Sequence, residues 1–275
     1  PCRCSAGLPS MLAVVMVAAR FGQSLARFAP LVFLALAMGV VGLVDDFYNV
    51  RRIGPKGGGL AMKHRLVIYT LIAIVGAWWF YAKLGWDVLH VPFVGYMSIG
   101  WWYIPIFIFV IVATSFSVNE IDGLDGLAGG TLLAAYTAYS VIAFSLGKIE
   151  LAAFCGVIAG ALLAFLWFNI PPARFFMGDT GAMALGVTLG IVAMLTNTAF
   201  LLPIIGLLFV IESGSVILQV LSKKIRKKKI FKSAPFHHHL EAIGWPEQKI
   251  VMRFWVIAGV LAVVGLAIHL VDLTR

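Results

Sequence analysis

Residues 101–118 read WWYIPIFIFVIVATSFSV, a run of mostly aromatic and aliphatic side chains that contains no charged residue. Lipid cannot hydrogen-bond to peptide groups, so a segment inside a bilayer must satisfy its own N–H and C=O groups, as an α-helix does. An uncharged apolar run of about this length is typical of such a helix. The stretch therefore predicts a helix that crosses a membrane.

The same pattern recurs along the chain. Of its 275 residues, 61% are hydrophobic and 12% are charged, whereas soluble proteins average roughly 45–50% and about 25%. These values exclude a soluble globule, a disordered chain and a coiled coil. Hydropathy predicts nine spans, at residues 8–19, 29–44, 66–81, 101–118, 127–146, 151–168, 181–196, 200–221 and 250–271. We therefore predict an all-α polytopic membrane protein with a single transmembrane domain, residues 1–275.

The amino end differs from the rest of the chain. Its predicted span, 8–19, is 12 residues long, which is too short to cross roughly 30 Å at 1.5 Å per residue. The first residue is Pro1 rather than methionine, and no signal-peptide pattern follows it. We interpret the chain as beginning partway through a longer protein.

The basic residues are distributed unevenly between the two sides of the predicted bundle. One side holds the amino end and four connections, at residues 45–65, 119–126, 169–180 and 222–249. Sixteen of the 21 lysines and arginines lie on that side and five on the other. Because basic residues are retained in the cytoplasm, we predict that this side is cytoplasmic and that the carboxyl terminus is external.

The external connection 82–100 is flanked by tryptophans, as expected where a helix meets the membrane surface. These are Trp78, Trp79, Trp86, Trp101 and Trp102. Within this connection, the segment 86–96 (WDVLHVPFVGY) is predicted to form a short β-hairpin.

Eight of the twelve acidic residues lie in or beside the predicted cytoplasmic connections, close to the ends of spans. They are Asp45, Asp46, Glu120, Asp122, Asp125, Asp179, Glu241 and Glu247. Carboxylates beside a membrane cost solvation free energy unless they bind a cation or pair with one another. Loops on one face of a rigid scaffold often form one functional site. We therefore predict a single site at the cytoplasmic face.

The first acidic motif is GLVDDFYNVRR, in which Asp45 and Asp46 close a span. Adjacent helical residues point about 100° apart, so we expect one of the two to face a shared metal ion. A hydrated helix end is the alternative interpretation.

The second acidic motif is VNEIDGLDGLAGG, residues 118–130. Asn119, Asp122 and Asp125 follow one another at intervals of three, which predicts that they share one helical face. The four glycines permit close approach of a ligand or a neighbouring helix. The alternative is glycine packing with capping aspartates.

The third motif is FNIPPARFFMGDTGAMALG, residues 168–186, which puts Asp179 just before a new span. An aspartate in this position acts as a helix cap or, alternatively, binds Mg²⁺ while the helix amino terminus binds phosphate. Phe175 and Phe176 offer a stacking surface for a base, and packing in the membrane is the alternative.

The fourth motif is KSAPFHHHLEAIGWPEQ, which contains His237, His238 and His239. Zinc ligation is disfavoured because neighbouring residues cannot all point inward and no cysteine accompanies them. Hydrogen bonds to phosphate oxygens are the favoured role, and a solvated loop is the alternative.

Two further features are less specific. The run KKIRKKK at 223–229 is most simply a stop-transfer signal that contacts anionic lipid, and recruitment of an anionic substrate is the minority interpretation. Glu212 lies inside a predicted span. An intramembrane acid is a functional candidate, but hydrogen bonding to Ser213, Ser215 or a neighbouring helix explains it equally well.

Taken together and in this order, GLVDD, NEIDGLDGLA, FNIPPARFFMGDTG and PFHHHLEAIGWPE resemble the cytoplasmic motifs of the phospho-N-acetylmuramoyl-pentapeptide-transferase (MraY) family. The resemblance covers residues 31 to 268. The first three motifs are shared with a wider superfamily that joins nucleotide-sugar phosphates to polyprenyl phosphates, and the histidine motif narrows the resemblance to this branch. The family fold has ten transmembrane helices, so nine spans imply that the first is missing. Glu120 stands where the family has an apolar residue.

The resemblance implies an activity. It implies transfer of phospho-N-acetylmuramoyl-pentapeptide from UDP to undecaprenyl phosphate, with lipid I and UMP as products and Mg²⁺ as the cofactor. It also implies a role in peptidoglycan synthesis at the bacterial inner membrane, with the site on the cytoplasmic face. The implied partners are these two substrates and the lipid bilayer. Whether the protein forms a homodimer is left open, and no nucleic acid partner is expected.

The resemblance also implies roles for individual residues. The implied catalytic residues are Asp45, Asp46, Asp179 and His237, with Asp179 as the metal ligand. The implied substrate-binding residues are Lys63, Asn119, Asp122, Asp125, Asn169, Phe176, His238 and His239, of which Phe176 stacks on uracil. Because a phosphate monoester is largely ionised at neutral pH, we favour direct attack by the acceptor phosphate. Asp45 and Asp46 then position other groups or bind the metal ion. A role for Asp45 or Asp46 as a base or nucleophile stays open.

Other functions remain to be distinguished. A sister transferase that uses UDP-GlcNAc or a related sugar shares three of the motifs, and the histidine motif argues against it. An ion-coupled or proton-coupled transporter would line a path through the membrane with acids and histidines, whereas the polar clusters here crowd one predicted face. A non-catalytic membrane scaffold leaves the four acid-rich connections unexplained.

Overall fold

The computed structural model describes residues 25–54 and 58–274, with side chains from residue 31. Eight long helices are present in this part of the chain: α1 (Leu25–Arg51), α2 (Met62–Trp78), α3 (Tyr103–Ile121), α4 (Leu127–Ser145), α5 (Ile149–Asn169), α6 (Gly178–Leu195), α8 (Leu207–Ile225) and α10 (Glu247–Leu273). Two short helices are α7 (Leu202–Ile205) and α9 (Phe236–Ala242). A π-helical turn, Trp79–Lys83, extends α2, and a 3₁₀ turn, Gly100–Trp102, precedes α3.

The all-α membrane class predicted from the sequence is confirmed. Within the described residues, seven helices are long and apolar enough to cross a membrane. The predicted span 8–19 lies outside the described residues. The predicted span 200–221 is wrong as a single helix, because Gly206 adopts a non-helical conformation (φ −100°, ψ 29°) that ends α7 and precedes α8. Glycine has a low helix propensity, which favours a break at this position.

Helix α6 forms the centre of the bundle. In its apolar span 89% of the residues are buried, compared with 28% in α10. It packs against α1 and α3. Glycines permit this approach, because a Cβ atom added at Gly190 would lie 2.6 Å from the Thr114 hydroxyl oxygen on α3. Lipid gives helices no hydrophobic reason to associate, so close backbone packing through small residues stabilises the contact.

The predicted hairpin is confirmed as two antiparallel strands, β1 (Val88–Val91) and β2 (Gly95–Ser98). The backbone N–H of Phe93 donates to the Asp272 carboxylate (2.7 Å), and Nε2 of His90 lies 3.2 Å from the same group. Asp272 lies near the end of α10, which has 27 residues and is therefore about 40 Å long. The hairpin thus lies at the end of the bundle opposite Glu247.

Candidate active site

A polar cavity of about 220 Å³ lies at the end of the bundle where α6 and α10 begin. Its lining residues are Asp46, Asn49, Asp122, Gly123, Leu124, Asp125, Asn169, Phe176, Gly178 and Asp179. We call it the carboxylate cavity. Four acidic residues that the sequence analysis selected from three separate motifs therefore lie around one space.

Asp46 caps the central helix from a different helix. Its carboxylate accepts the backbone N–H groups of Asp179 and Thr180 (both 3.1 Å) and the Thr180 hydroxyl (2.6 Å). The prediction that Asp179 itself caps α6 is therefore wrong, because Asp46 occupies these donors. Two of the N–H donors expected for a phosphate at this helix terminus, those of Asp179 and Thr180, are therefore taken by Asp46. The Asp179 side chain is consequently directed elsewhere.

The cap depends on close contact between α1 and α6 at Gly42. An alanine Cβ there would lie 2.5 Å from both the carbonyl oxygen of Asp179 and Cα of Thr180. We expect Gly42→Ala to lower the free energy of unfolding by about 1–3 kcal/mol, because backbone atoms must move apart. Thermal unfolding in detergent measures this change. Gly160→Ala is the matched control because its Cβ would meet no atom within 4 Å; equal melting temperatures for both variants would contradict the packing.

Asp179 lies in a network of hydrogen bonds and ion pairs with α1, α2 and α3. Its oxygens accept the side-chain amide groups of Asn49 (3.2 Å) and Asn119 (2.6 Å), and the Arg65 guanidinium lies 3.3 Å away. Arg65 also donates to the Asn119 oxygen (2.9 Å) and pairs with Asp45 at 2.5 Å. The buried Asp45, Asp179 and Arg65 thus belong to one polar network.

The two adjacent aspartates have different partners, as the helical angle predicts. Asp45 is buried and accepts the backbone N–H of Leu60 in addition to pairing with Arg65. Asp46 lines the carboxylate cavity. Lys63, which the resemblance assigns to substrate, is exposed, and its side chain makes no hydrogen bond or ion pair with another described residue. Arg65, two residues further on, provides the positive charge at the network.

The second motif contains a loop where a continuous helix was expected. The prediction that Asn119, Asp122 and Asp125 share one helical face is therefore wrong. Helix α3 ends at Ile121 and α4 begins at Leu127, and Gly126 adopts φ +78° between them. Asp122 and Asp125 nevertheless both line the cavity. The Gly126 conformation favours glycine, because side chains rarely adopt positive φ.

Neighbouring segments hold this loop, residues 122–126, in place. Asp125 accepts the backbone N–H of Ala173 (2.9 Å) and donates its own N–H to Glu247 (2.9 Å). The Asn169 side-chain oxygen accepts the Gly126 N–H (3.0 Å), and its amide donates to the carbonyl of Phe175 (2.8 Å). Asn169 therefore connects the loop to the third motif.

The two phenylalanines of the third motif have separate positions. Phe175 packs against Phe165 and Phe168 of α5, with ring centroids 5.5 and 5.8 Å apart. Phe176 lines the carboxylate cavity. The stacking surface that the sequence offers is therefore available at Phe176, while Phe175 belongs to the packing of the bundle.

The three histidines of the fourth motif point in different directions. His237 is buried, with Nδ1 3.0 Å from the Glu212 carboxylate. His238 pairs with Glu241 at 2.5 Å. The Nδ1 atom of His239 accepts the backbone N–H of Lys232 (3.1 Å), and its ring packs on aromatic side chains, so His239 stabilises the loop.

The oxygen ligands of the cavity fit a magnesium ion that a bound phosphate group would complete. Mg²⁺ is usually held by one or two carboxylates together with substrate phosphates. Asp122, Asp125 and Asp179 supply carboxylates to the cavity. Within residues 25–54 and 58–274, no three His, Cys, Asp or Glu side chains form a metal-binding group by themselves. The Asp179 carboxylate accepts hydrogen bonds from three donors. A carboxylate has about four acceptor positions, so one position is left for a metal ion.

Comparison with known proteins gives the family. A family model described as glycosyl transferase family 4 matches residues 28–197. The phospho-N-acetylmuramoyl-pentapeptide-transferase of Bartonella quintana is 43% identical over 252 residues, which cover 86% of this chain and 70% of that protein. The protein of the same name from Pelagibacter ubique is 40% identical over 258 residues, with coverages of 86% and 71%. The chain belongs to the phospho-N-acetylmuramoyl-pentapeptide-transferase family.

A third relative of the same name, from a Geobacillus species, is 42% identical over 241 residues and covers 87% of this chain and 74% of that protein. The family resemblance predicted from the four motifs is therefore confirmed. The family model covers three of the motifs and ends before the histidines, whereas the relatives extend over most of the chain.

An apolar groove of about 750 Å³ also lies in this family member, between α2, α3 and α8. Its lining residues are Met62, Leu66, Thr70, Pro105, Ile108, Phe109, Val112, Ala113, Phe116, Val216, Ile217, Val220, Leu221 and Lys224. We call it the lateral groove. Met62 and Leu66 flank Arg65 along α2, so the groove begins beside the network around Asp179. No pattern in the sequence predicted this groove.

Proposed function

We propose that this chain transfers phospho-N-acetylmuramoyl-pentapeptide from UDP to undecaprenyl phosphate, which gives lipid I and UMP. The observation that carries the proposal is the position of Arg65: its guanidinium pairs with Asp179 of the carboxylate cavity at 3.3 Å, and Leu66, the next residue on α2, lines the apolar lateral groove. The cavity suits a metal-bound nucleotide and the groove a polyprenyl chain. The name shared by the relatives specifies the same transferred group.

The donor nucleotide binds in the carboxylate cavity. Phe176 stacks on uracil, while Asn169 and Asp125 shape the wall beside it. A pyrophosphate would be repelled by four carboxylates, so its binding there calls for a divalent cation. We assign Asp179 as its protein ligand and Asp122 as a group in its surroundings. When bound, Mg²⁺ neutralises charge on the pyrophosphate and on the departing UMP.

The acceptor binds in the lateral groove. A polyprenyl tail is apolar and needs a continuous apolar surface, which α2, α3 and α8 provide. Its phosphate head then lies at the polar end of the groove, where Arg65 offers a planar guanidinium suited to phosphate oxygens. Lys224, on the groove wall, supplies a second positive charge.

The reaction follows from these positions. An oxygen of the acceptor phosphate attacks the phosphorus that carries the sugar, and the bond from that phosphorus to the bridging oxygen of UMP breaks. UMP leaves with the bridging oxygen and its negative charge. His237 and His238 donate hydrogen bonds to phosphate oxygens, while His239 keeps its structural position.

No side chain needs to remove a proton from the acceptor, because a phosphate monoester is largely ionised at neutral pH. The hydrogen bonds of the two adjacent aspartates support this. The oxygens of Asp45 contact Leu60 and Arg65, and those of Asp46 contact Asp179 and Thr180. We therefore assign both aspartates as positioning residues rather than bases.

The site faces the cytoplasm in this proposal. The basic run 223–229 is exposed at the end of α8, next to the α9 helix that carries the histidines. Basic connections are retained on the cytoplasmic side. The bacterial inner membrane supplies both the polyprenyl acceptor and access to a soluble nucleotide donor.

Donor choice tests this function directly. The protein in lipid nanodiscs receives undecaprenyl phosphate, Mg²⁺ and either UDP-N-acetylmuramoyl-pentapeptide or UDP-GlcNAc, each labelled in the sugar. We expect label from the muramoyl donor alone to become extractable into organic solvent. Equal or greater transfer from UDP-GlcNAc would indicate a sister transferase, and transfer from neither donor would contradict the proposal.

A further inference from the structure

Glu212 is a buried acid inside α8 that the mechanism above does not use. Its two oxygens lie 3.2 and 3.3 Å from the backbone nitrogen of His237, which donates to them. One of these oxygens also lies 3.0 Å from His237 Nδ1, and both side chains are fully buried. The Glu212 carboxylate therefore contacts both the backbone N–H and the ring of His237, the first histidine of the motif.

These contacts determine which ring atom faces the site. Because Nδ1 is directed at Glu212, Nε2 points the other way, towards the loop that lines the carboxylate cavity. A Cβ atom added at Gly123 of this loop would lie 2.3 Å from Nε2. Nε2 is buried and has no hydrogen-bond partner among the described residues. A buried ring nitrogen without a partner costs free energy, so its position points to a ligand oxygen as the missing partner.

We propose that Glu212 is a positioning residue that fixes the His237 ring so that Nε2 contacts a phosphate oxygen of the donor. The inference rests on the proposed function and adds a residue to it. With its Nδ1–H donated to the Glu212 carboxylate, the His237 ring donates from Nε2 as well only as the imidazolium, in which both ring nitrogens carry a proton and Glu212 supplies the counter-charge. Because charge on the phosphates changes most as the bond to UMP breaks, a correctly directed Nε2 acts mainly on turnover.

Glu212→Gln is the first test. Glutamine has one acceptor oxygen, and its NH₂ group would face one of the two His237 donors. We expect kcat for UMP release to fall by about 10- to 100-fold, as for loss of a hydrogen bond to a charged group, with KM for the donor unchanged. Ser215→Ala is the matched control, since it removes another buried polar group from the same turn of α8 and is expected to keep wild-type kcat.

A double-mutant cycle separates positioning from simple stabilisation. His237→Asn retains a donor near Nδ1 but has no atom at Nε2. If Glu212 acts through His237, the double variant Glu212→Gln/His237→Asn has the kcat of His237→Asn alone, per folded enzyme. Losses that multiply would overturn the positioning role, as would an unchanged kcat in Glu212→Gln.

Gly123→Ala keeps the test decisive if Glu212→Gln does not fold. Its methyl group displaces the His237 ring from the other side and leaves Glu212 intact. We expect a loss of kcat of similar size, and wild-type kcat would overturn the inference. A wild-type protein that forms no lipid I would instead overturn the proposed function, so the two failures are distinguishable.

Discussion

Asp179→Asn is expected to lower turnover by about 1000-fold, the largest effect of any substitution considered. The carboxylate lines the cavity and accepts hydrogen bonds from the side chains of Asn49, Asn119 and Arg65. An asparagine keeps the size of the side chain but loses its charge, and its NH₂ group would face one of these donors. The variant therefore loses the proposed metal ligand and the partner of Arg65 together. Initial rates of UMP release at saturating Mg²⁺ measure the loss.

Asp87→Asn is the matched control for this substitution. The Asp87 carboxylate accepts a hydrogen bond from the Ser98 hydroxyl beside the hairpin, at the opposite end of the bundle. The same change of carboxylate to amide there is expected to leave turnover unchanged. Near-wild-type turnover in Asp179→Asn would contradict the assignment of this residue, whatever the control does.

Arg65→Met is expected to give the second largest effect, through stability as well as activity. Arg65 contacts Asp45, Asp179 and Asn119, and Asp45 is fully buried. Removal of the cation leaves a buried carboxylate without its charged partner, which costs about 3–5 kcal/mol for a buried ion pair. We expect a lower melting temperature and a loss of turnover of more than about 100-fold in the fraction that stays folded.

Three further variants sharpen this result. Arg65→Lys keeps the charge but not the planar fork that contacts three groups, so an intermediate loss is expected. Lys63→Met removes the neighbouring exposed lysine, and the ratio of the two losses identifies which basic residue serves the site. A stable, fully active Arg65→Met protein would contradict the proposed role. Lys83→Met, in the π-helical turn that extends α2, controls for removal of a positive charge.

The helices could be predicted from the sequence because apolar runs in lipid have one stable backbone conformation. The same argument failed at 200–221, where a single glycine, Gly206, ended a helix that hydropathy alone treats as continuous. The hairpin at Val88–Val91 and Gly95–Ser98 was predictable from its alternating, β-branched residues and turn.

The residues of the site could be selected from the sequence, but their partners could not. Acidic residues at the ends of spans are unusual enough to identify Asp46, Asp122, Asp125 and Asp179. That Asp46 caps α6 in place of Asp179 depends on how α1 packs at Gly42, which is a tertiary contact. A one-dimensional pattern contains no information on such contacts.

Two other features show the same limit. Arg65 and Lys63 are both basic residues at the start of α2, and only the helix orientation distinguishes them. Glu212 is unusual in the sequence because it interrupts an apolar run. Its partner lies 25 residues later in the chain, beyond any helical spacing, so its contact with His237 required the structure.

Binding of Mn²⁺ in the presence of UMP tests the central claim, that separate carboxylates form one metal–nucleotide site. Mn²⁺ replaces Mg²⁺ at oxygen ligands and is detected by electron paramagnetic resonance. We expect the wild-type protein and Asp87→Asn to bind Mn²⁺ with equal affinity, and Asp179→Asn to bind it at least about tenfold more weakly. Wild-type affinity in Asp179→Asn would contradict the claim.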